Sequence, residues 1–392
     1  MVQWKKVRIQ DIGTVVGGAT PSTKIDANYK NGHISWITPK DLSIFEGRYI
    51  YTGERNITEM GLNSSSTVLM PKNSILFSSR APIGYVAIAG KELCTNQGFK
   101  SVIPNKKIDY LFLYYLLKYN KNKIENLGSG TTFKEVSGSV MKNVEVMIPE
   151  DIKEQKRIAA VLNSIDDKIE LNNEINDNLM QQGTSLFNEY LVKFDDVPNN
   201  WKVSSLDRIA DYINGLAMQK YPPKDNEEGL PVLKIAELKQ GCCDSNSDRC
   251  TSQLDEDYII NDGDVIFSWS ASLVVDIWCG GKAGLNQHLF NVKSNIYDKW
   301  FYFWWTKYHL NEFIHEASSK ATTMGHIKRD NLSKAKVLIP SKNDYEAIGH
   351  LLKPITDSIV NVKLENKRLS ALRDSLLPKL MSGEIDVDSI EL

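Results

Sequence analysis

Between Ile158 and Leu186, apolar residues fall at Ile158, Leu162, Ile165, Ile169, Leu179 and Leu186 on an alternating spacing of four and three. The remaining positions of that stripe, Asn172, Asn176 and Gly183, are polar or small. A narrow stripe on this spacing is the seam of a coiled coil, here weakened in its middle. The same ladder recurs as Ile348, Leu352, Ile355, Ile359, Val362, Asn366, Leu369, Arg373 and Leu376, each 190 residues after its counterpart. One such helix alone reads as the flank of a globular core. Two in matching register read as mates, because each offers the stripe that the other needs.

The rest of the chain is also written twice. Trp4-Lys5-Lys6-Val7 and Ile9 to Gly13 are answered 197 residues later by Trp201-Lys202-Val203 and Leu206 to Ala210. At an offset of 190, Phe77-Ser78 aligns with Phe267-Ser268, Asn96-Gln97 with Asn286-Gln287, and Tyr114-Tyr115 with Trp304-Trp305. At 191, Thr131-Thr132 aligns with Thr322-Thr323 and Ile148-Pro149 with Ile339-Pro340. This is a tandem duplication with diverged contents. Short apolar or alternating runs such as Ile34 to Ile37, Ser74 to Phe77 and Tyr85 to Ile88 predict strands. Tyr110 to Tyr119 and Trp300 to Tyr308 predict buried helices, and the aromatics from Trp300 to Trp305 read as core rather than as a base-stacking platform.

The predicted fold class is α+β: two globular mixed α/β domains joined by two long antiparallel coiled-coil helices in a pseudo-twofold arrangement. The boundaries are 1–149 for the first domain, 150–192 for the first long helix, 193–340 for the second domain, and 341–392 for the second long helix and C-terminal tail. Pro149 and Pro340 close the globular parts, since a residue before proline is pushed out of the helical region. Gly383 is the expected C-cap, and Pro354 predicts a kink or a delayed helix start. One helix leads from the first domain to the second and the other leads back, so a mutual pairing must be antiparallel. A helix of about 40 residues at about 1.5 Å rise is on the order of 60 Å long, more than the roughly 34 Å of one turn of B-DNA.

Composition narrows the setting. The chain has 392 residues, enough for two or three domains. No run of 18 apolar residues occurs, and Met1 to Lys6 lacks the apolar stretch of a signal peptide, so no membrane is expected and the cytoplasm is the default. Five cysteines fit a reducing compartment, and Cys242, Cys243 and Cys250 read as loop thiols, not zinc ligands. Net charge is −2, but it is unevenly spread. Residues 1–149 carry 19 Lys and Arg against 11 Asp and Glu, whereas residues 150–192 carry 4 against 9 and residues 193–340 carry 17 against 20. A polyanion partner suits the first domain and needs a local basic patch on the second.

The layout, together with several strings, resembles the specificity subunit of type I restriction-modification systems. The strings are Gly17-Gly18-Ala19-Thr20-Pro21-Ser22, Ile148-Pro149 leading to Glu154-Gln155 and Ile158, Ser185-Leu186-Phe187, Pro198-Asn199-Asn200-Trp201, and Leu376-Leu377-Pro378-Lys379-Leu380-Met381-Ser382-Gly383-Glu384-Ile385. The second unit departs from the pattern, with Tyr345-Glu346 in place of Glu154-Gln155 and Asn214-Gly215 for the glycine-threonine opening. The resemblance implies a subunit without catalysis whose two target-recognition domains each read half of a bipartite, asymmetric sequence in double-stranded DNA. It implies two methyltransferase subunits and restriction/translocase subunits as partners. S-adenosylmethionine, ATP and magnesium would belong to those partners, leaving this chain without a cofactor.

Base edges and phosphates are met by Arg, Lys, Asn, Gln, Ser and Thr. DNA-contact candidates of that makeup in the first domain are Thr38, Lys40, Ser78, Ser79, Arg80, Ser129, Thr131, Thr132 and Lys134; Arg80 is the preferred guanine reader. In the second they are Lys234, Ser268, Trp269, Ser270, Lys320, Thr322, Thr323, Lys328 and Arg329, with Lys334 and Lys336 extending the basic patch. Asn96-Gln97 and Asn286-Gln287 recur in both units, which favours a structural role over reading of different bases. The Gly128 to Lys134 loop has a phosphate-cradling makeup without the Lys-Ser/Thr ending of a P-loop. No methyltransferase tetrad, GxGxxG, HExxH or GxSxG string occurs. The alternative reading is a coiled-coil scaffold bridging two protein partners without nucleic acid, supported by the acidic helices.

Overall fold

The computed structural model describes the chain except residues 1, 46, 81, 131–133, 195, 320–326, 328 and 390–392. Its packing divides into two units, one of Met1–Glu170 with Leu369–Leu392 and the other of Leu171–Arg368. Four helices organise them: α1 (Tyr110–Tyr119), α2 (Ile152–Phe187), α3 (Lys299–Ser319) and α4 (Lys342–Ser382). The long helices α2 and α4 have 36 and 41 residues, and each unit contains a part of both. Among the described residues, no helix is long and apolar enough to cross a membrane.

In the first unit a five-stranded sheet runs Gly13–Gly17, Lys100–Pro104, Ile75–Ser79, Ile83–Ala89, Tyr49–Ile50, and a three-stranded sheet runs Arg55–Ile57, Ile34–Ile37, Cys94–Thr95. Trp4–Arg8 pairs antiparallel with Glu145–Pro149, Trp4 opposite Pro149, so the globular part is zipped shut just before α2 begins. Asp109 caps α1 by accepting from the backbone N–H of Leu111 and Phe112. The core that buries Phe112, Tyr115 and Leu116 also takes in Ile158 and Leu162 of α2 and Leu380 and Met381 of α4. The stripe on α2 therefore serves the domain core and the partner helix at once.

The second unit repeats the plan. Asp211–Asn214, Leu289–Lys293, Val265–Ser268 and Val274–Ile277 form one sheet; Arg249–Cys250, Leu230–Leu233, Ala283–Leu285 and Ile259–Ile260 form another. Lys202–Ser205 pairs with Lys336–Ile339 as the closing strand pair. Helix α3 is longer than the aromatic run that predicts it, and Trp300, Phe301, Phe303, Trp304 and Trp305 are all buried, as a core helix requires.

The entries to the two long helices use different side chains for one task. Buried Gln155 accepts a hydrogen bond from the backbone N–H of Asp109 at 3.0 Å and donates to the carbonyls of Lys107 and Pro149. In the 190-residue register of the ladder Tyr345 takes the place of Gln155; its hydroxyl accepts from the backbone N–H of Asp298 at 2.9 Å and donates to the Asp298 carboxylate. Each ties the residue just before the domain helix to the first turns of the long helix. Asp151 and Ser341 cap the long helices, accepting from the N–H groups of Lys153 and Asp344.

The helix mates meet in antiparallel order within each unit. In the first, Ile158 and Leu162 share a core with Leu380 and Met381, and further along α2 Asp166 bonds Arg373. In the second, Asn172 donates to Glu365 and Asn366, Asn366 donates to Asn173, and Leu179, Leu186 and Phe187 share a core with Ile348, Leu352, Ile355 and Ile359. Ile169, Val362, Leu369 and Leu376 are half-buried, as befits a seam two helices wide. The helix does not wait for Pro354: α4 starts at Lys342 and stays helical through it. Pro354 is exposed, so the carbonyl that loses its donor faces water, where the loss costs least. Gly383 ends α4 with φ +75, and a Cβ there would lie 2.6 Å from Trp4 Nε1, so glycine is required by conformation and by contact.

Each domain is also clamped to its own long helix. Arg48, whose side chain is 4% exposed, reaches Asn163, Asp167 and Glu170 of α2. Burial alone would lower its pKa, but its bonds to Glu170 and Asp167 more than reverse this, and the net shift is upward. In the second unit the polarity is inverted, with Lys363 and Lys367 of α4 bonded to Asp276 and Asp262.

Gln155→Ala would strand one buried N–H and two carbonyls, and is expected to lower stability by about 1–3 kcal/mol. Tyr345→Phe keeps the ring packing and is expected to cost about 1 kcal/mol or less. Urea unfolding of the two variants checks this, and a larger loss for Tyr345→Phe contradicts it.

Candidate nucleic-acid interface

In each unit one backbone turn gathers the loops that the sequence nominates. In the first unit the turn is Asn96–Gly98. The N–H of Asn96 donates to the Ile37 carbonyl at 2.9 Å, and the N–H of Ser79 donates to the Gly98 carbonyl at 2.7 Å. The N–H of Val136 donates to Ser79 at 2.9 Å, bringing in the loop closed by the Ser129–Glu135 bridge. In the second unit Asn286 N–H bonds the Leu233 carbonyl at 3.1 Å, Trp269 N–H bonds that of His288 at 3.4 Å, and Ile327 N–H bonds that of Trp269 at 3.1 Å. The three bonds are the same bonds, residue for counterpart.

Asn96 and Asn286 hold the turn itself. Asn96 Oδ1 accepts from the N–H of Gly98 at 2.8 Å, and Asn286 Oδ1 accepts from that of His288 at 3.3 Å. Gly18 and Gly215 lie against the same turns: a Cβ at Gly18 would meet the Asn96 carbonyl oxygen at 2.1 Å, and one at Gly215 would meet that of Asn286 at 2.3 Å. The recurrence of Asn96-Gln97 and Asn286-Gln287 thus has a structural cause in their asparagines.

Around this shared frame the display differs. In the first unit Thr38 is half-buried and occupied as the cap of a short helix, its hydroxyl bonded to Asp41. Lys40 is exposed and bonded to Glu54, which raises the lysine pKa. Arg80 is about one-third exposed and stands 3.9 Å from Glu135, whose carboxylate also meets Lys100 at 3.4 Å. One carboxylate between two cations leaves a net positive charge beside exposed Ser129 and Lys134. Gln97 accepts from the Thr20 hydroxyl on the same rim. Thr131 and Thr132 lie outside the described residues.

In the second unit Lys234 occupies the position of Thr38 and is bonded to Asp248. Half-buried Trp269 donates from Nε1 to Asn214 at 3.0 Å, and Ser270 Oγ lies 3.0 Å from His288 Nδ1. Beside them Met218, Gln219, Val232, Lys234, Asp248, Arg249 and Asn286 line a cleft of about 360 Å³. Arg329 is exposed, as are Lys334 and Lys336. Lys320, Thr322, Thr323 and Lys328 lie outside the described residues.

Four nominated hydroxyls are enclosed in the protein. Ser78 Oγ donates to the Pro82 carbonyl and accepts from the N–H of Tyr85, and Ser268 Oγ donates to the Ser272 carbonyl. Ser79 is fully buried with Lys100 Nζ 3.5 Å from its hydroxyl, and Ser270 is 3% exposed. In this conformation they shape the loops, and a groove edge cannot reach them. Conversely, sequence reasoning passes over Lys100, Glu135, Gln219 and Arg249, which lie among the nominated loops. Only their placement reveals them, since each stands alone in an ordinary stretch of sequence. Among the described residues no group of His, Cys, Asp and Glu is arranged to hold a metal. Burial pushes the Cys243 thiol up to about 12, which leaves it an inert thiol.

Comparison with known proteins gives this geometry its context. The sequence pattern described as "Type I restriction modification DNA specificity domain" matches residues 1–181 and again residues 198–372. The MjaIX specificity subunit of a type I restriction enzyme from Methanocaldococcus jannaschii is 33% identical, over 99% of this chain and 94% of that protein. The EcoR124I/EcoR124II specificity subunit from Escherichia coli is 30% identical over 42% of this chain and 41% of its own length. The crystal structure of a type I restriction-modification S subunit from M. genitalium shares the fold, with TM-score 0.52, 16% identity, and coverage of 97% of this chain and 96% of that one. With two matches to the family pattern, one on each repeat, and a relative aligned over 99% of this chain, the chain belongs to the family of type I restriction-modification DNA specificity subunits.

Proposed function

We propose that this chain is a recognition subunit with no catalysis of its own, which reads a bipartite, asymmetric sequence in double-stranded DNA. Each unit presents its turn and the surrounding loops to one half of the target. The paired long helices set the gap between the halves. Methyltransferase and restriction/translocase subunits dock on the chain and bring S-adenosylmethionine, ATP and magnesium with them.

The observation that carries this reading is one frame with two displays. The backbone bonds at Asn96 and Asn286 are the same, whereas Thr38 and Arg80 give way to Lys234 and an enclosed Ser270, and Trp269 and His288 stand where the first unit has the enclosed Ser79 and Gly98. Two readers built alike but edged differently suit two different half-sites. The scaffold alternative accounts for the helices but gives no reason for that divergence at the loop edges.

Arg80 and Lys134 separate the two readings. With partner subunits assembled on the chain, Arg80→Ala is expected to lower affinity for the target duplex about tenfold or more while changing non-specific binding little. Lys134→Ala is expected to weaken both about equally and to reduce the salt dependence by about one phosphate contact. Duplex titrations at several salt concentrations test this; binding that is absent or indifferent to salt favours the scaffold. Removing seven facing residues from each long helix shortens the pair by about 10 Å and is expected to shift the permitted gap by about three base pairs. An unchanged gap contradicts the spacing role.

A further inference from the structure

Equivalent contacts of the paired helices are filled with different chemistry. In the first unit the Asp166 carboxylate is 5% exposed, accepting from the Tyr115 hydroxyl at 2.7 Å and from Arg373 Nη1 at 2.9 Å. The Arg373 guanidinium is itself largely buried; burial alone would lower its pKa, yet its bond to Asp166 takes it above the ordinary value. In the second unit, 190 residues away in each case, Thr356 stands for Asp166 and Gly183 for Arg373. Thr356 Oγ1 accepts from Trp304 Nε1 at 3.0 Å. The indole lies over Gly183, where a Cβ would sit 2.2 Å from its ring. Gly183 is helical, so its backbone needs no glycine, and in mid-helix glycine costs about 1 kcal/mol relative to alanine. It is bare because Trp304 occupies the space.

The two sets of contacts do not interchange. Residue 166 faces residue 373, and the counterpart of 373 in the first half is 183. Were two copies of the first half to pair, each buried Asp166 would face Gly183 of the other copy and lose its guanidinium. Were two copies of the second half to pair, Arg373 would face Thr356, find no carboxylate, and collide with Trp304. A buried charge deprived of its partner is far costlier than a neutral pair. The polar middle does not discriminate in this way. Asn172 bonds Asn366, whose first-half counterpart is Asn176, so two first halves would keep an asparagine pair there.

We infer that Asp166–Arg373 and Gly183–Trp304–Thr356 form a partner code, by which each half of the chain accepts the other half and rejects a second copy of itself. The code secures a molecule with two unlike halves, and it stands independently of what those halves read.

The test uses the full chain with a protease site inserted between Asn199 and Asn200 and cut after folding. The nicked protein is unfolded in urea and refolded, and its half-by-half pairs are counted by native mass spectrometry. The expected result is an excess of the mixed pair over same-half pairs of about tenfold or more beyond the statistical ratio. Gly183→Arg is expected to deplete the mixed pair and create a first-half pair, its guanidinium meeting Asp166 of the other copy. Asp166→Thr combined with Arg373→Gly is expected to move the populations toward the statistical ratio. A statistical mixture from the unaltered chain, failure of the mixed pair to form, or Gly183→Arg losing the mixed pair without gaining the first-half pair, overturns the proposal.

Discussion

The antiparallel match between α2 and α4 is the constraint on which the other features depend. Each helix carries a stripe too narrow to make a core by itself and too apolar to leave in water. The stripe is satisfied from two sides, by the mate and by the domain core, as Ile158 and Leu162 show in company with Phe112 and Leu380. That double use is why each unit includes parts of both helices, and why the domains are tied to them by ionic clamps. Arg48 grips α2 with a cation from the domain, whereas Asp276 and Asp262 hold α4 with anions. On α4 the counterparts of Asn163, Asp167 and Glu170 are Lys353, Asp357 and Val360, so only one of the three partners of Arg48 is kept there.

Duplication explains the rest of the architecture, and divergence explains its use. Backbone bonds are kept where they define the frame: the closing strand pairs, the bond into the domain helix, and the turns at Asn96 and Asn286. Side chains are freed where the backbone already does the structural work. Loops placed by a fixed frame vary at little cost to stability, so recognition changes without refolding the protein.

Much of this was legible in the residues. A period of four and three over nine rungs, repeated at one offset, determines the helices, their pairing and their direction, because geometry leaves few alternatives. The family strings were legible too, but the gathering of the loops that carry Thr38, Arg80 and Lys134 around Asn96–Gly98 was not, because the backbone bonds that do it join residues far apart in the chain. What stayed hidden depends on three-dimensional substitution. Tyr345 does the work of Gln155 with a phenol in place of an amide, which no alignment of like with like reveals. Ser78 and Ser268 look like surface hydroxyls until the hairpin closes over them. Pro354 looks like a break until it is seen on the solvent side of the helix. Asp166 and Glu135 sit outside the hydrophobic ladder and the base-reader repertoire, Arg48 stands apart from the nominated loops, and their partners lie 35 or more residues away in the chain.

Two unlike readers held at one separation would leave a defined mark on DNA. The most direct measurement is to map modified adenines in DNA exposed to the methyltransferase complex reconstituted with this chain. Modification is expected within two different short sequences, always separated by the same number of base pairs. A single continuous site, two identical half-sites, or one pair of half-sites at freely varying gaps would contradict it.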